Sequence, residues 1–320
     1  MLYILQKILE KIKNLIKSFS YRFNRIVDLS IKDINFKLYI RKKNIQGHSV
    51  YGFMSDNKHV YELAIITCLN NIVEKNKKII FADIGSFVGF YAIYFSKLTH
   101  DLNKVYAIES NEHYCEDIKK SKDINNIKNI EILKAILSDK DEEQIFYREF
   151  ALKHENLRSS NFQNKKLFDE IKSNSKKSNT VKLDDLFIKE KKKPNILKID
   201  VHGAEGKVIR GAKKFLKENV NIILLEVHSQ NYLNIYSDGT KRKEIITELN
   251  ALDFKTYMVS PFREIDRKKQ DNEYLDFQKK LNYREITTLN AEELFFGNNG
   301  DVFILCLDET YAIKEFRCFH

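Results

Sequence analysis

Phe81-Ala-Asp83-Ile-Gly85-Ser-Phe-Val-Gly89-Phe-Tyr91 is an apolar run carrying one carboxylate, then a turn with glycines four residues apart, then a second apolar run. The first run is short enough for a buried strand, and the second opens a helix. Glycine at 85 and 89 lets the backbone bend sharply and come close to a ligand, while the helix start offers free N–H groups. The pyrophosphate fingerprint G-x-G-x-x-G is not matched, because Phe87 separates Gly85 from Gly89 without a third glycine in register. Asp83 stands two residues before the first glycine, at the carboxyl end of the strand. An anion there repels phosphates and suits a ligand carrying an ammonium and a sulfonium. The ligand of that description is S-adenosylmethionine, with Asp83, Gly85, Ser86 and Gly89 as its expected cradle.

Outward from this turn, strand and helix alternate. The pattern predicts strands over 79–84, 105–108, 130–137 and 196–200, and helices over 90–97, 115–124 and 205–217. Further strands are expected at 222–227, 254–258 and 302–307, a short one at 144–147, and before the turn a helix over about 60–73 and a short β run at 36–40. Such alternation implies an α/β, Rossmann-like, doubly wound and mostly parallel sheet. Glu109 ends the second strand, at the distance from the glycine turn where an acidic side chain accepts the two ribose hydroxyls.

Lys198-Ile-Asp200-Val-His202-Gly203-Ala-Glu205 follows an apolar strand, so Asp200 and His202 arrive at the sheet edge where open α/β folds bind ligands. Glu205 falls in the first turn of the next helix, where a carboxylate caps free N–H groups. Glu226 and His228 end the neighbouring strand, so Asp200, His202, Glu226 and His228 can meet there. Methyl transfer to oxygen needs the hydroxyl proton removed, and Asp200, His202 and His228 are the candidates for that base. Oxygen and nitrogen donors can also hold a divalent cation, but the expectation here is no metal.

Taken in order, these motifs resemble the FkbM family of methyltransferases. That family's D-x-G-A-N-x-G, E-P-N, K-I-D-V-E-G-A-E and E-V-H-like segments match Asp83 to Gly89, Glu109 to Asn111, Lys198 to Glu205 and Glu226 to His228. Ala135 to Asp139 and Val181 to Leu186 extend the match over about residues 50–260. The resemblance implies a class I methyltransferase sheet, S-adenosylmethionine as cofactor with Ser138 added to its site, and O-methylation of a sugar, a glycan or a related small molecule. The chain departs from the pattern at Phe87, where the family has Asn, at Ser110 for Pro and at His202 for Glu. Two other readings remain open at this point, an NAD-linked oxidoreductase and a catalytically degenerate methyltransferase fold used for binding.

Composition sets outer limits. A chain of 320 residues with 43% apolar content buries a large core, and 31% charged residues of both signs exclude a wholly disordered protein. Net charge is +10, but the lysines are scattered among acids, which favours anionic partners without a focused nucleic-acid stripe. Prolines stand only at 194 and 261, so the Pro-containing motifs of base methyltransferases are absent and no nucleic acid is expected. Cys68, Cys115, Cys306 and Cys318 form neither a C-x-x-C pair nor a zinc spacing, which fits a reducing cytoplasm. Residues 1–19 read as a basic amphipathic helix (Leu5, Ile8, Leu9, Ile12, Leu15, Ile16), expected to pack on the domain or to touch a membrane surface peripherally. The division expected is an N-terminal region over 1–75, a methyltransferase domain over 76–310 with a polar insertion at about 152–179, and a tail over 311–320.

Overall fold

The structure, a computed structural model, describes residues 22–52, 54, 55, 60, 62–76, 78–145, 176–237, 239–260, 282–296 and 301–308. The amphipathic segment 1–19, most of the insertion and the tail 311–320 lie outside the described residues, as do Pro261 and Cys318.

A hairpin comes first, β1 (Arg25–Ile31) and β2 (Ile34–Ile40), in which alternate residues Val27, Leu29, Ile31, Phe36, Leu38 and Ile40 are buried. This two-residue periodicity is that of a strand with one dry face. Helix α1 (Leu63–Lys75) follows, then β3 (Phe81–Ile84), α2 (Phe90–Leu98), β4 (Val105–Glu109), α3 (Glu112–Ile124) and β5 (Ile130–Lys134). The hairpin is pinned to α3 by polar links: the Tyr39 amide donates to Ser121 Oγ at 2.9 Å and Arg41 Nε to Asp117 Oδ2 at 2.8 Å.

A two-stranded ladder, β6 (Glu142–Ile145) with β7 (Lys176–Asn179), then brackets the insertion. The end of the segment expected to be an irregular surface loop is therefore strand, because Lys176 to Asn179 pair antiparallel with Glu142 to Ile145. Next come α4 (Leu183–Leu186), β8 (Ile196–Ile199), α5 (Glu205–Arg210), α6 (Lys213–Asn219), β9 (Ile222–Val227), α7 (Gln230–Tyr236), α8 (Arg242–Asn250) and β10 (Phe254–Ser260). The chain closes with β11 (Asn282–Ile286), α9 (Ala291–Phe296) and β12 (Val302–Asp308). The single helix expected over 205–217 is two, broken at Gly211-Ala212. A Cβ on Gly211 would stand 2.1 Å from the Ser138 carbonyl oxygen, so the backbone itself is packed against that loop.

Eight strands form the main sheet in the order β11-β10-β12-β9-β8-β3-β4-β5. β5, β4, β3, β8 and β9 run parallel, and β12 is inserted antiparallel between β9 and β10. Strand order reverses between β3, which is followed to one side by β4 and β5, and β8, which is followed to the other by β9. The crevice at that switch point is where a doubly wound sheet binds its ligand.

One core lies on the face covered by the hairpin, α1 and α2, and includes Phe81, Phe90, Tyr94, Ile196, Leu224 and Phe303. A second lies on the opposite face, under α5, α6 and α8, and includes Ile84, Leu197, Leu225, Phe215 and Ile246. Val27 to Ile40 of the hairpin and Leu63 to Ile72 of α1 contribute buried residues to the first core together with the sheet.

Candidate active site

Register puts the site on one face. In a sheet, residues two apart share a face, and residues paired across parallel strands do too. Asp83 pairs with Ala107 on one side and Lys198 on the other, and Lys198 pairs with Leu224. Two residues further on stand Glu109, Asp200 and Glu226. Phe303 pairs with Glu226, which places Asp301 opposite His228. Glu109, Asp83, Lys198, Asp200, Glu226, His228 and Asp301 thus line the carboxyl edge of the sheet on the hairpin side.

The turn after β3 is held by backbone. Gly85 has φ +80° and Gly89, which caps α2, has φ +85°. The amides of Gly85 and Ser86 donate to the Ile108 carbonyl at 2.9 and 3.1 Å, and Ser86 Oγ closes the loop onto the Asp83 carbonyl at 2.7 Å. A Cβ on Gly85 would come 1.9 Å from the Asp200 carbonyl oxygen, so glycine is required there for the close approach of two strand ends. The glycine was expected to make room for ligand; the room it makes is for the neighbouring backbone.

Phe87 also takes a left-handed conformation, φ 52°. Asn adopts that region far more readily than Phe. The departure from the family's Asn therefore costs backbone strain, offset by an edge-on contact of the Phe87 ring with Tyr114 at 4.6 Å. Its amide donates to Glu109 Oε2 at 2.8 Å, while Glu109 Oε1 accepts from the Asn111 amide at 2.8 Å. Glu109 ties both loops together, its Oε1 accepting also from Ser110 Oγ at 3.2 Å.

Asp83 is 1% exposed and neither carboxylate oxygen makes a hydrogen bond among the described residues. Burial pushes its pKa up to about 6, against the pull of Lys198. A buried carboxylate at the ligand-binding edge of the sheet suits the ammonium of S-adenosylmethionine, so the residues present fit that cofactor. Lys198 is itself buried, its Nζ 3.2 Å from Asp200 Oδ2 and 4.5 Å from the centre of the Tyr91 ring. Burial lowers the lysine's pKa, but Asp200, Asp83, Glu62 and Glu226 outweigh it and hold the ammonium firmly charged. Tyr91 Oη donates in turn to Glu62 Oε2 at 2.5 Å.

On the β8–β9 side the expected base candidates do meet. His202 Nδ1 lies 3.3 Å from Asp200 Oδ1, and the His202 and His228 rings are 4.5 Å apart. His202 has φ 52° and Gly203 φ 101°, in a turn where a Cβ on Gly203 would strike the Tyr232 backbone at 2.7 Å. His228 is 1% exposed, and its Nδ1–H donates to Glu205 Oε1 at 2.9 Å, which also accepts from the Gly203 amide. Burial lowers the His228 pKa, while Glu205, Glu226 and Asp301 overcome this and lift it to about 9. Glu205 is therefore more than a helix-start charge, since it orients His228.

Ser138 follows β5, its amide bonded to the Val181 carbonyl at 3.1 Å and its own carbonyl against Gly211. Glu62, Tyr91, Lys198 and Asp301 were not singled out from sequence. A lysine inside the buried run Ile196-Leu-Lys-Ile199 demands acidic neighbours, and that signal was available for Lys198. Glu62 and Asp301 carry no comparable local mark.

A model of the methyltransferase FkbM domain matches residues 80–284, well over half of the chain. The chain belongs to the FkbM methyltransferase family. It is an S-adenosylmethionine-dependent methyltransferase with a class I, Rossmann-like sheet, and the oxidoreductase reading falls. Among solved structures it is similar to the methyltransferase FkbM from Methylobacillus flagellatus KT at 12% identity, covering 93% of this chain and 60% of that one, with a TM-score of 0.39. It is also similar to Aeropyrum pernix fibrillarin, solved with natively bound S-adenosyl-L-methionine, at 8% identity over 76% of this chain and 74% of that one, TM-score 0.40. A third is a SAM dependent methyltransferase from Aquifex aeolicus, 11% identical over 64% of this chain and 85% of that one, TM-score 0.36. No curated protein matches the FkbM-family chain. Among its described residues no helix is long and apolar enough to cross a membrane.

Proposed function

We propose that this FkbM-family enzyme methylates a hydroxyl of a small molecule, a sugar or a glycan, with Asp83, Gly85, Ser86, Gly89, Glu109 and Ser138 on the cofactor side and Asp200, His202 and His228 on the acceptor side. The observation that carries the reading is the approach of His202 Nδ1 to within 3.3 Å of Asp200 Oδ1, beside the buried Asp83 carboxylate. The cofactor supplies an electrophilic methyl group.

Asp83 receives the ammonium, and Glu109, at the end of the next strand, receives the ribose hydroxyls. Asp200, held by Lys198, fixes the His202 ring through Nδ1 and stabilises the imidazolium that forms when Nε2 accepts the acceptor's hydroxyl proton. His228 is excluded from that part by its own environment. A buried imidazole held protonated up to about pH 9 has no lone pair to offer at neutral pH.

Methyl transfer from isotope-labelled cofactor should be assayed against sugars and glycans with free hydroxyls and against matched amines. Label in the hydroxyl compounds alone supports the reading, and label in the amines alone refutes it. With an acceptor in hand, His202→Ala should lower kcat about 10² to 10⁴-fold with cofactor affinity unchanged. Normal turnover in that variant would place the base elsewhere.

A further inference from the structure

Beside the proposed base stands a second group of side chains. Glu226 and His228 lie two residues apart at the end of β9, and Asp301 lies opposite His228 at the start of β12. Ligand atoms of these three all fall within 4.8 Å of one another.

His228 Nε2 is 3.8 Å from Glu226 Oε1 and 3.8 Å from Asp200 Oδ1. Both separations are too long for hydrogen bonds, and Nε2 makes none among the described residues. Donor atoms around a divalent ion bound at about 2.1 Å stand roughly 3.0 to 3.4 Å apart, so this group, whose donor atoms lie within 4.8 Å of one another, has to draw in by up to about 1.5 Å to close on one ion. Meanwhile Nδ1–H is committed to Glu205 Oε1, whose side chain is fully buried. That commitment leaves Nε2 as the lone-pair nitrogen once its proton is displaced, which is how metal-binding histidines are usually oriented.

We infer that Glu226, His228 and Asp301 bind a first-row divalent cation, one imidazole and two carboxylates being a donor set for Mn²⁺ or Zn²⁺. The inference rests on the acceptor-side reading above, and it replaces the expectation of no metal.

The test is calorimetry of the metal-stripped full chain with MnCl₂ and, separately, ZnCl₂, with S-adenosylhomocysteine binding measured on the same samples. The expected result is one site per chain, weakened at least 100-fold by Glu226→Gln and by Asp301→Asn. Both changes are near-isosteric, and thermal unfolding in the absence of metal confirms that each variant folds. His202→Ala should bind metal as the wild type does. Lack of binding by either ion at millimolar concentration overturns the inference, as does binding indifferent to both carboxamide variants. If S-adenosylhomocysteine binds while the metals do not, the cation site fails and the methyltransferase reading stands. If neither binds, both fail.

Discussion

The two halves of the active edge are built from different material. Around β3 and β4 the geometry is fixed by backbone: two left-handed glycines, amides of Gly85 and Ser86 on one carbonyl, and amides of Phe87 and Asn111 on one carboxylate. Around β8, β9 and β12 it is fixed by charged side chains, Lys198 against Asp200, His228 against Glu205, Arg242 Nε on the His228 carbonyl at 2.8 Å. A backbone cradle suits a cofactor that is the same in every turnover. A lattice of ions can be re-cut by single substitutions, which suits a surface that has to match one acceptor.

The sharpest way to break the second half is to remove Glu205, leaving a protonated histidine buried without its closest partner. Glu205→Ala should cost about 3 to 5 kcal/mol of stability, read from chemical denaturation. An effect below about 1 kcal/mol would show that the acceptor wall is not locked by ions. The first half breaks on sterics instead. Gly85→Ala sets a Cβ against the Asp200 carbonyl and strains a positive φ, and should destabilise on the order of 3 kcal/mol through overpacking and left-handed backbone. If that variant folds normally and only loses cofactor, the glycine serves the ligand and not the neighbouring strand.

Asp83→Asn sharpens the comparison because it should separate stability from binding. The carboxyl has a native pKa of about 6, above its unfolded value of about 3.9, so the native chain holds the extra proton between those values. Wild-type stability should therefore fall as pH rises from about 4 to about 6, and stay low above that. The Asn variant lacks this fall and should be more stable by up to about 2 to 3 kcal/mol at pH 7. Its cofactor affinity should drop about 10- to 100-fold in calorimetry, and the gain in affinity that the wild type shows on passing pH 6 should disappear. Equal stability of the two proteins across pH 4 to 7 would show that Asp83 is not the strained carboxylate described above.

What the sequence discloses follows the same division. The strand, turn and helix around Gly85 are local in the chain, so alternation and glycine spacing reveal them, and Glu109 follows at a fixed interval. Asp200, His202 and His228 were legible as strand-end residues, and the parallel register brings them together. The sequence is silent where contact depends on a distant partner. Gly211 looks like an ordinary helix residue until Ser138 is packed against it, which is why one helix was expected in place of two. Strand β1 is missed because Asp28 and Ser30 on its exposed face interrupt a short apolar run, and β11 because Asn282 to Glu285 are largely exposed. Asp301 precedes an unremarkable strand, and only the antiparallel placement of β12 sets it across from His228.

That placement of β12 also imposes an order on assembly. Leaving the ribosome, the chain presents β9, with its Ile222-Ile-Leu-Leu225 run, some eighty residues before the strand that will cover it. In the interval β9 is an open apolar edge, and β10, which emerges earlier than β12 and runs in the same direction as β9, is available to occupy it. A nascent chain so paired has to release β10 before β12 can enter, so this side of the sheet is completed only after β12 has emerged. Ribosome-stalled chains ending before residue 302 should accordingly be the aggregation-prone ones.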